Sequence, residues 1–155
     1  MSSSTEMSGK PAETSAQSAV RTRRMKGFVD DIEALTETNS SFRRVVYTGP
    51  HLQLVVMSLE PGGEVGDETH EDRDQFFRIE EGEGEVAIDG HRSKIQAGVG
   101  IIVPAGARHN IVNTGSGPLR LYTVYGPPEH RFDTVQATKS VADASDEHFD
   151  GTTTE

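Results

Sequence analysis

Two short stretches of this chain concentrate side chains able to do chemistry: GDETHEDRDQFF at 66–77 and GVGIIVPAGARHNIVN at 98–113. The first sets His70 among carboxylates and one amide, Gln75; the second sets His109 in a loop of glycine and proline. Imidazole nitrogen and carboxylate or carbonyl oxygen are the donors that divalent first-row metals take from proteins. The same acids equally suit a solvated turn, because ionised carboxylates are rarely buried unpaired. Taken alone, 66–77 leaves both readings open. Of the six histidines, His91 follows an Asp-Gly turn and His148 lies in an acidic stretch, so both are expected exposed and inert. His51 and His130 flank strand segments near prolines and are expected in solvent. There is no cysteine, hence no thiolate chemistry and no disulfide framework. GEGEVAIDG is not a dinucleotide loop, since no helix follows it, and no nucleophile elbow or P-loop is present.

The elements that must position these residues are mostly strands. Segments rich in Val, Ile, Leu, Phe and Tyr run through FRRVVYTG, LQLVVMSLE, QFFRIEEG, GEVAIDG, GIIVPAG, HNIVNTG and PLRLYTVYG, broken by Gly and Pro at close spacing. Many short strands with regular turn signals predict an antiparallel sandwich or small barrel. Asp89-Gly90 is the strongest hairpin signal, because it supplies the positive φ angles of a type I′ turn. DDIEALTET at 30–38 predicts a short helix. LQLVVMSL and LRLYTVY are apolar at both parities, so their outer faces need cover. A second subunit is the expected cover, giving a homodimer; the N-terminal helix or the tails are the simpler alternative.

Bulk properties narrow the classes further. With 155 residues and 33% hydrophobic content, the chain suits one domain whose apolar residues are concentrated in the middle. Residues 1–25 are small and polar and are expected to form a disordered tail. Residues 26–130 carry the barrel, and 131–155 are expected as a flexible acidic tail with at most a short helix. Fifteen Lys and Arg against 25 Asp and Glu give a net charge of -10, which argues against nucleic acid or an anionic membrane as partner. Arg21, Arg23, Arg24 and Lys26 form a basic run too small to reverse this. No apolar run approaches the roughly 18 residues of a membrane span, and the first residues lack the apolar core of a signal peptide. A cytoplasmic protein is expected.

The spacing of the second stretch is Gly98-x5-Pro104-x-Gly106-x2-His109-x3-Asn113. It resembles the second motif of the cupins in full. Upstream, Gly62-x5-Glu68-x-His70-x4-Gln75-x6-Gly82 is similar to the first cupin motif in spacing, with Glu68 where a His is usual and Gln75 where a Glu is usual. The resemblance covers about residues 45–128 and is to small single-domain cupins, some loosely labelled mannose-6-phosphate isomerase-like. It implies an all-β fold, the antiparallel double-stranded β-helix or jelly-roll barrel. It also implies a metal site at Glu68, His70, Gln75 and His109. Glu68 and His70, two apart on a strand, would share a face, and Glu68 restores the negative charge that Gln75 lacks.

These ligands suit one divalent transition metal, Mn, Fe, Ni or Zn, and leave positions open for a substrate. The expected function is a metal-dependent enzyme of isomerase type acting on a small polar metabolite, sugar-like or keto/enol. An Fe-dependent dioxygenase and a non-catalytic module binding a metal or small molecule are the alternatives. Some cupins with a Gln ligand open unsaturated uronates, which favours the first. Met57, Phe77, Ile111 and Tyr122 are expected in the wall of the substrate pocket.

Overall fold

The computed structural model describes residues 24–155; the expected tail at 1–25 lies almost wholly outside the described residues. Among the described residues, ten strands follow one short helix: α1 (Ile32–Thr38), β1 (Arg43–Thr48), β2 (Gln53–Leu59), β3 (Glu68–Thr69), β4 (Asp74–Glu81) and β5 (Glu83–Ile88). Then come β6 (His91–Gln96), β7 (Gly100–Val103), β8 (Arg108–Asn113), β9 (Leu119–Gly126), β10 (Val135–Gln136) and a second helix, α2 (Lys139–Ala144). They build two antiparallel sheets, of order β10-β1-β2-β9-β4-β7 and β3-β8-β5-β6. Inward residues of both sheets, among them Val55, Met57, Phe77, Ile79, Val86, Ile111 and Leu121, form one core. This is the expected jelly-roll barrel.

All seven strands read from the sequence are present, as β1, β2, β4, β5, β7, β8 and β9. Asp89 and Gly90 have φ of 46° and 82°, the backbone a type I′ turn requires. The three strands without a sequence signal, β3, β6 and β10, each lie at a sheet edge. Edge strands bury little: β6 is exposed at every position but Ile95, so HRSKIQ shows no apolar pattern.

β2 and β9 are covered on their outer faces by α1, which packs against β9, β4 and β2. The Asp31 side chain caps α1 by accepting from the Ala34 N–H at 3.0 Å. Val56, at an outward position of β2, is 2% exposed. The chain thus supplies part of the cover that its two-sided apolar strands require. Further along the same face Ile102 remains 71% exposed, paired across strands with Phe76. No helix among the described residues is long and apolar enough to cross a membrane.

Residues 131–155 differ from the loose tail expected. They fold back on the barrel, with β10 paired to β1 at Arg43 and Arg44. The final residues bond to the start of the domain: the Thr154 N–H donates to the Thr48 carbonyl, and Tyr47 Oη and the Gly27 N–H donate to the Glu155 carboxylate. Between them, Glu147 accepts from His130 Nδ1 at 2.6 Å and from the Arg131 N–H at 2.8 Å. Composition misses this because the segment docks chiefly by hydrogen bonds to backbone and side chains, with Ala142 as its apolar contact to the core.

Burial alone would raise the Glu147 pKa, but the hydrogen bonds from His130 and the Arg131 N–H hold it below the ordinary glutamate value. Its stabilising contribution is therefore complete above that ordinary value and is lost as pH falls through the depressed one. Glu147→Ala is expected to lower unfolding free energy by about 2 kcal/mol near neutral pH and by clearly less near pH 3. Urea unfolding at both pH values measures this, and an equal loss at both would refute it.

Candidate metal centre

Glu68 and His109 face each other as paired residues of β3 and β8, which brings the two motifs together at one end of the barrel. His70 follows β3, and its carbonyl accepts from the Gly106 N–H at 2.8 Å, tying the His70 loop to the Pro104–Gly106 turn. Gly106 has φ of 88°, so the turn that aims His109 needs glycine there. One donor atom from each of Glu68, His70 and His109 lies within 4.8 Å of the others. The His70 and His109 ring centroids are 5.5 Å apart, and Glu68 Oε2 stands 3.2 Å from His70 Nε2. Gln75 enters from β4 beside Tyr125 of β9, 2% exposed.

The hydrogen bonds fix which atoms are free to bind. His109 Nδ1 lies 3.2 Å from the Ala107 carbonyl, so that nitrogen carries the proton and Nε2 keeps its lone pair. Gln75 Nε2 donates to Thr123 Oγ1 at 2.9 Å, leaving Oε1 as the outstanding group. Among the described residues, the buried side-chain polar atoms without a partner are Gln75 Oε1, His109 Nε2 and the Nε of three arginines. The arginines are already engaged, Arg43 and Arg120 through Nη1 by Gln136 and Glu81, and Arg78 through Nε itself, 3.4 Å from Glu80. Of the two unsatisfied acceptors, one belongs to His109 of the Glu68–His70–His109 cluster and the other to Gln75, at the position paired with Tyr125. An orphaned buried acceptor is costly, and a cation is what relieves it.

The shifts at His109 and Glu68 agree with ligation, whereas that at His70 favours the protonated ring, whose proton an ion would displace. Burial pushes the His109 pKa down, keeping the ring neutral. Burial alone would raise the Glu68 carboxyl, but the His70 hydrogen bond and the charges of His70 and Arg43 hold it low. His70 is pulled down by burial and up, more strongly in sum, by Glu68 and Glu129. The Glu68, His70 and His109 cluster fits a divalent transition ion: two imidazoles and one ionised carboxylate.

Residues 55–125 match the cupin-domain family. A Bacillus subtilis protein, YrkC, is 43% identical over 128 residues, covering 79% of this chain and 69% of its own. A protein of Acanthamoeba polyphaga mimivirus is 39% identical over 108 residues, covering 66% of this chain and 67% of its own. The chain is a cupin. Its barrel superposes on a crystal structure from Bacillus halodurans, BH2720, with a TM-score of 0.76 and 41% identity, over 77% of this chain and 96% of that one. KdgF from a Halomonas species shares the fold, with a TM-score of 0.50 and 23% identity, over 54% of this cupin and 76% of that chain.

The structure places the other expected residues unequally. Phe77 is fully buried with its ring 6.1 Å from that of His109, and Ile111 is the next inward residue of β8. Met57 is also fully buried, in a row with Leu121 and Ile79 farther along the strands. Tyr122 is a correction: it points outward and packs on Phe76, with ring centroids 6.3 Å apart. One register parity away, Thr123 and Tyr125 face inward, and the Tyr125 ring stands 5.8 Å from His70. PLRLYTVYG carries apolar residues at both parities, and the one charged residue, Arg120, shares the outward parity of Tyr122. His130 is 7% exposed, not solvated as expected, and bonds the Tyr125 hydroxyl at 3.2 Å. Arg43 and Glu129 were also missed. Arg43 is 6% exposed and donates to Gln136, while Glu129 pairs with Arg73 and lies 3.6 Å from His70 Nδ1. The Asp72–Asp74 turn is thus tied down through its arginine.

A real site binds the folded state alone and stabilises it by about 2.7 kcal/mol at a hundredfold excess over Kd. Added Mn(II), Fe(II), Ni(II) or Zn(II) is expected to raise the melting temperature of the wild type, and His109→Ala is expected to remove that rise. A wild type insensitive to all four ions would sink the assignment.

Proposed function

We propose that this cupin holds one divalent transition metal, Mn, Fe, Ni or Zn, at Glu68, His70, Gln75 and His109. With it, the protein acts as an enzyme of isomerase type on a small polar metabolite, sugar-like or keto/enol. The observation that carries the reading is the pair of buried, partnerless acceptors, Gln75 Oε1 and His109 Nε2, beside an ionised Glu68. A bound ion there would polarise a substrate carbonyl and stabilise charge developing on its oxygen. The chain's own residues do the rest. Glu68, 31% exposed at the side chain, brings the carboxylate at the more open side of the centre. Phe77 and Ile111 close the inner side with apolar surface and exclude water. The Tyr125 hydroxyl, raised in pKa by burial, stays protonated as a hydrogen-bonding group beside Gln75.

The Fe-dependent dioxygenase and the non-catalytic binding module are separated from this reading by one set of assays. Metal-loaded protein in D2O, mixed with aldoses, uronates or 2-oxo acids, is expected to introduce deuterium next to the carbonyl of one class, read by NMR. Oxygen uptake by the Fe(II) form without such exchange would replace the isomerase with the dioxygenase. Neither activity with any of the four ions would leave a binding module.

The exposed apolar row on the larger sheet supports a homodimer. Ile102, Phe76, Val124 and Leu54 are cross-strand neighbours there, and Ile102 would be the residue most buried by a second copy. Sedimentation is expected to give about twice the chain mass of 16.8 kDa, and Ile102→Glu is expected to give single chains. A monomeric wild type would refute the pairing.

A further inference from the structure

An amide ligand poses a problem that a carboxylate does not: only one of its two ends binds a cation. Gln75 must present Oε1 to the centre and turn Nε2 away. Thr123 Oγ1, which accepts from Nε2, cannot enforce this, because a hydroxyl both donates and accepts. The discriminating neighbour is Tyr125, directly opposite Gln75 on β9 and buried on the same inner face.

The polarity of that hydroxyl is set farther out. Glu147 is ionised and can only accept, so the 2.6 Å contact requires a proton on His130 Nδ1. In the neutral ring Nε2 is then an acceptor, and the Tyr125 O–H donates to it at 3.2 Å. The phenol oxygen is left with lone pairs alone for Gln75. Facing it with Oε1 would set two acceptors against each other, while facing it with Nε2 satisfies both groups. Glu147 is held in its role by the Arg131 N–H, a donor that cannot reverse, at 2.8 Å on its other oxygen.

We infer that Glu147 and His130 are positioning residues of the metal centre, which act through Tyr125 to fix the Gln75 amide with its oxygen toward the ion. The inference rests on the metal reading above. It makes residues of the C-terminal segment part of the site, although Glu147 touches none of the ligands.

Glu147→Gln tests the chain because it changes polarity at nearly constant shape. The new amide must turn its oxygen to the Arg131 N–H, which leaves its NH2 facing His130 Nδ1. His130 then carries its proton on Nε2 and donates to Tyr125, whose own O–H turns toward Gln75 and draws Oε1 away from the centre. Mn(II) affinity, measured by electron paramagnetic resonance titration, is expected to fall tenfold or more, roughly the loss typical of an outer partner. In the Gln75→Glu background, where oxygen stands at both ends, the same change is expected to alter affinity by less than about twofold, and Tyr125→Phe is expected to repeat the pattern. Nitrogen-15 NMR of the histidines reads the tautomer without metal: protonated Nδ1 in the wild type and protonated Nε2 in Glu147→Gln. An unchanged affinity, an equal fall in both backgrounds, or a wild-type His130 protonated at Nε2 overturns the chain. Failure of the wild type to bind Mn(II), Fe(II), Ni(II) or Zn(II) overturns the metal reading itself, and the positioning role falls with it.

Discussion

Gln75 and His109 set the constraint on which the rest of the structure turns. Each is 2% exposed, and each brings a polar side chain into a barrel whose other inward residues are largely apolar. Buried polar groups need partners, and unmet ones cost as much as the bonds they lack. The surroundings meet that need on one side of each residue: Ala107 takes His109 Nδ1 and Thr123 takes Gln75 Nε2. On His109 a ring nitrogen lies within 4.8 Å of donor atoms of Glu68 and His70, and on Gln75 the oxygen is left without a partner. A barrel whose interior were only a core would have filled these positions with the Val and Ile that line its neighbours.

Satisfying this polar end recruits parts of the chain that look dispensable. Gln53, the inward neighbour of Tyr125 on β2, donates to the His130 carbonyl and accepts from the Glu129 and His130 N–H groups. That clamp carries the chain from β9 to Glu129, beside His70, and to His130, beside Tyr125. The C-terminal segment then runs on to Glu147 and to the bonds with Thr48 and Tyr47. Barrel and segment are thus one hydrogen-bonded unit, in which the last residues brace the residues around the centre.

What the sequence made legible follows from the range of each signal. Strands with an apolar face, turns that need glycine, and the motif positions Glu68, His70, Gln75 and His109 are encoded within a few residues, and they could be read. β3 and β10 are two residues long and exist only because β8 and β1 offer them partners, so no local pattern marks them. Tyr122 and Tyr125 differ by parity alone on a strand with apolar residues at both, because α1 and the exposed apolar row occupy its outer face. His130 has no local signature at all. Its burial is a consequence of Gln53, 77 positions earlier, and of Glu147, 17 positions later.

The two departures from the usual motif make sense together as a relocation of charge. A carboxylate at position 75, 2% exposed, would have to be desolvated whenever no cation is bound, at a cost large enough to keep it protonated. Position 68 is different: its side chain is 31% exposed, and His70 lies 3.2 Å from it. There the carboxyl group remains ionised, with a pKa below its ordinary value. In the proposed donor set, moving the negative charge from the inner strand to the outer edge keeps the set anionic while the inner position becomes neutral. The exchange transfers a burden from solvation to orientation, since an amide, unlike a carboxylate, has a wrong way round. A fold that makes this exchange needs a polar partner of defined direction behind the amide, the role proposed for Tyr125, which pairs with Gln75 across strands and is backed by His130.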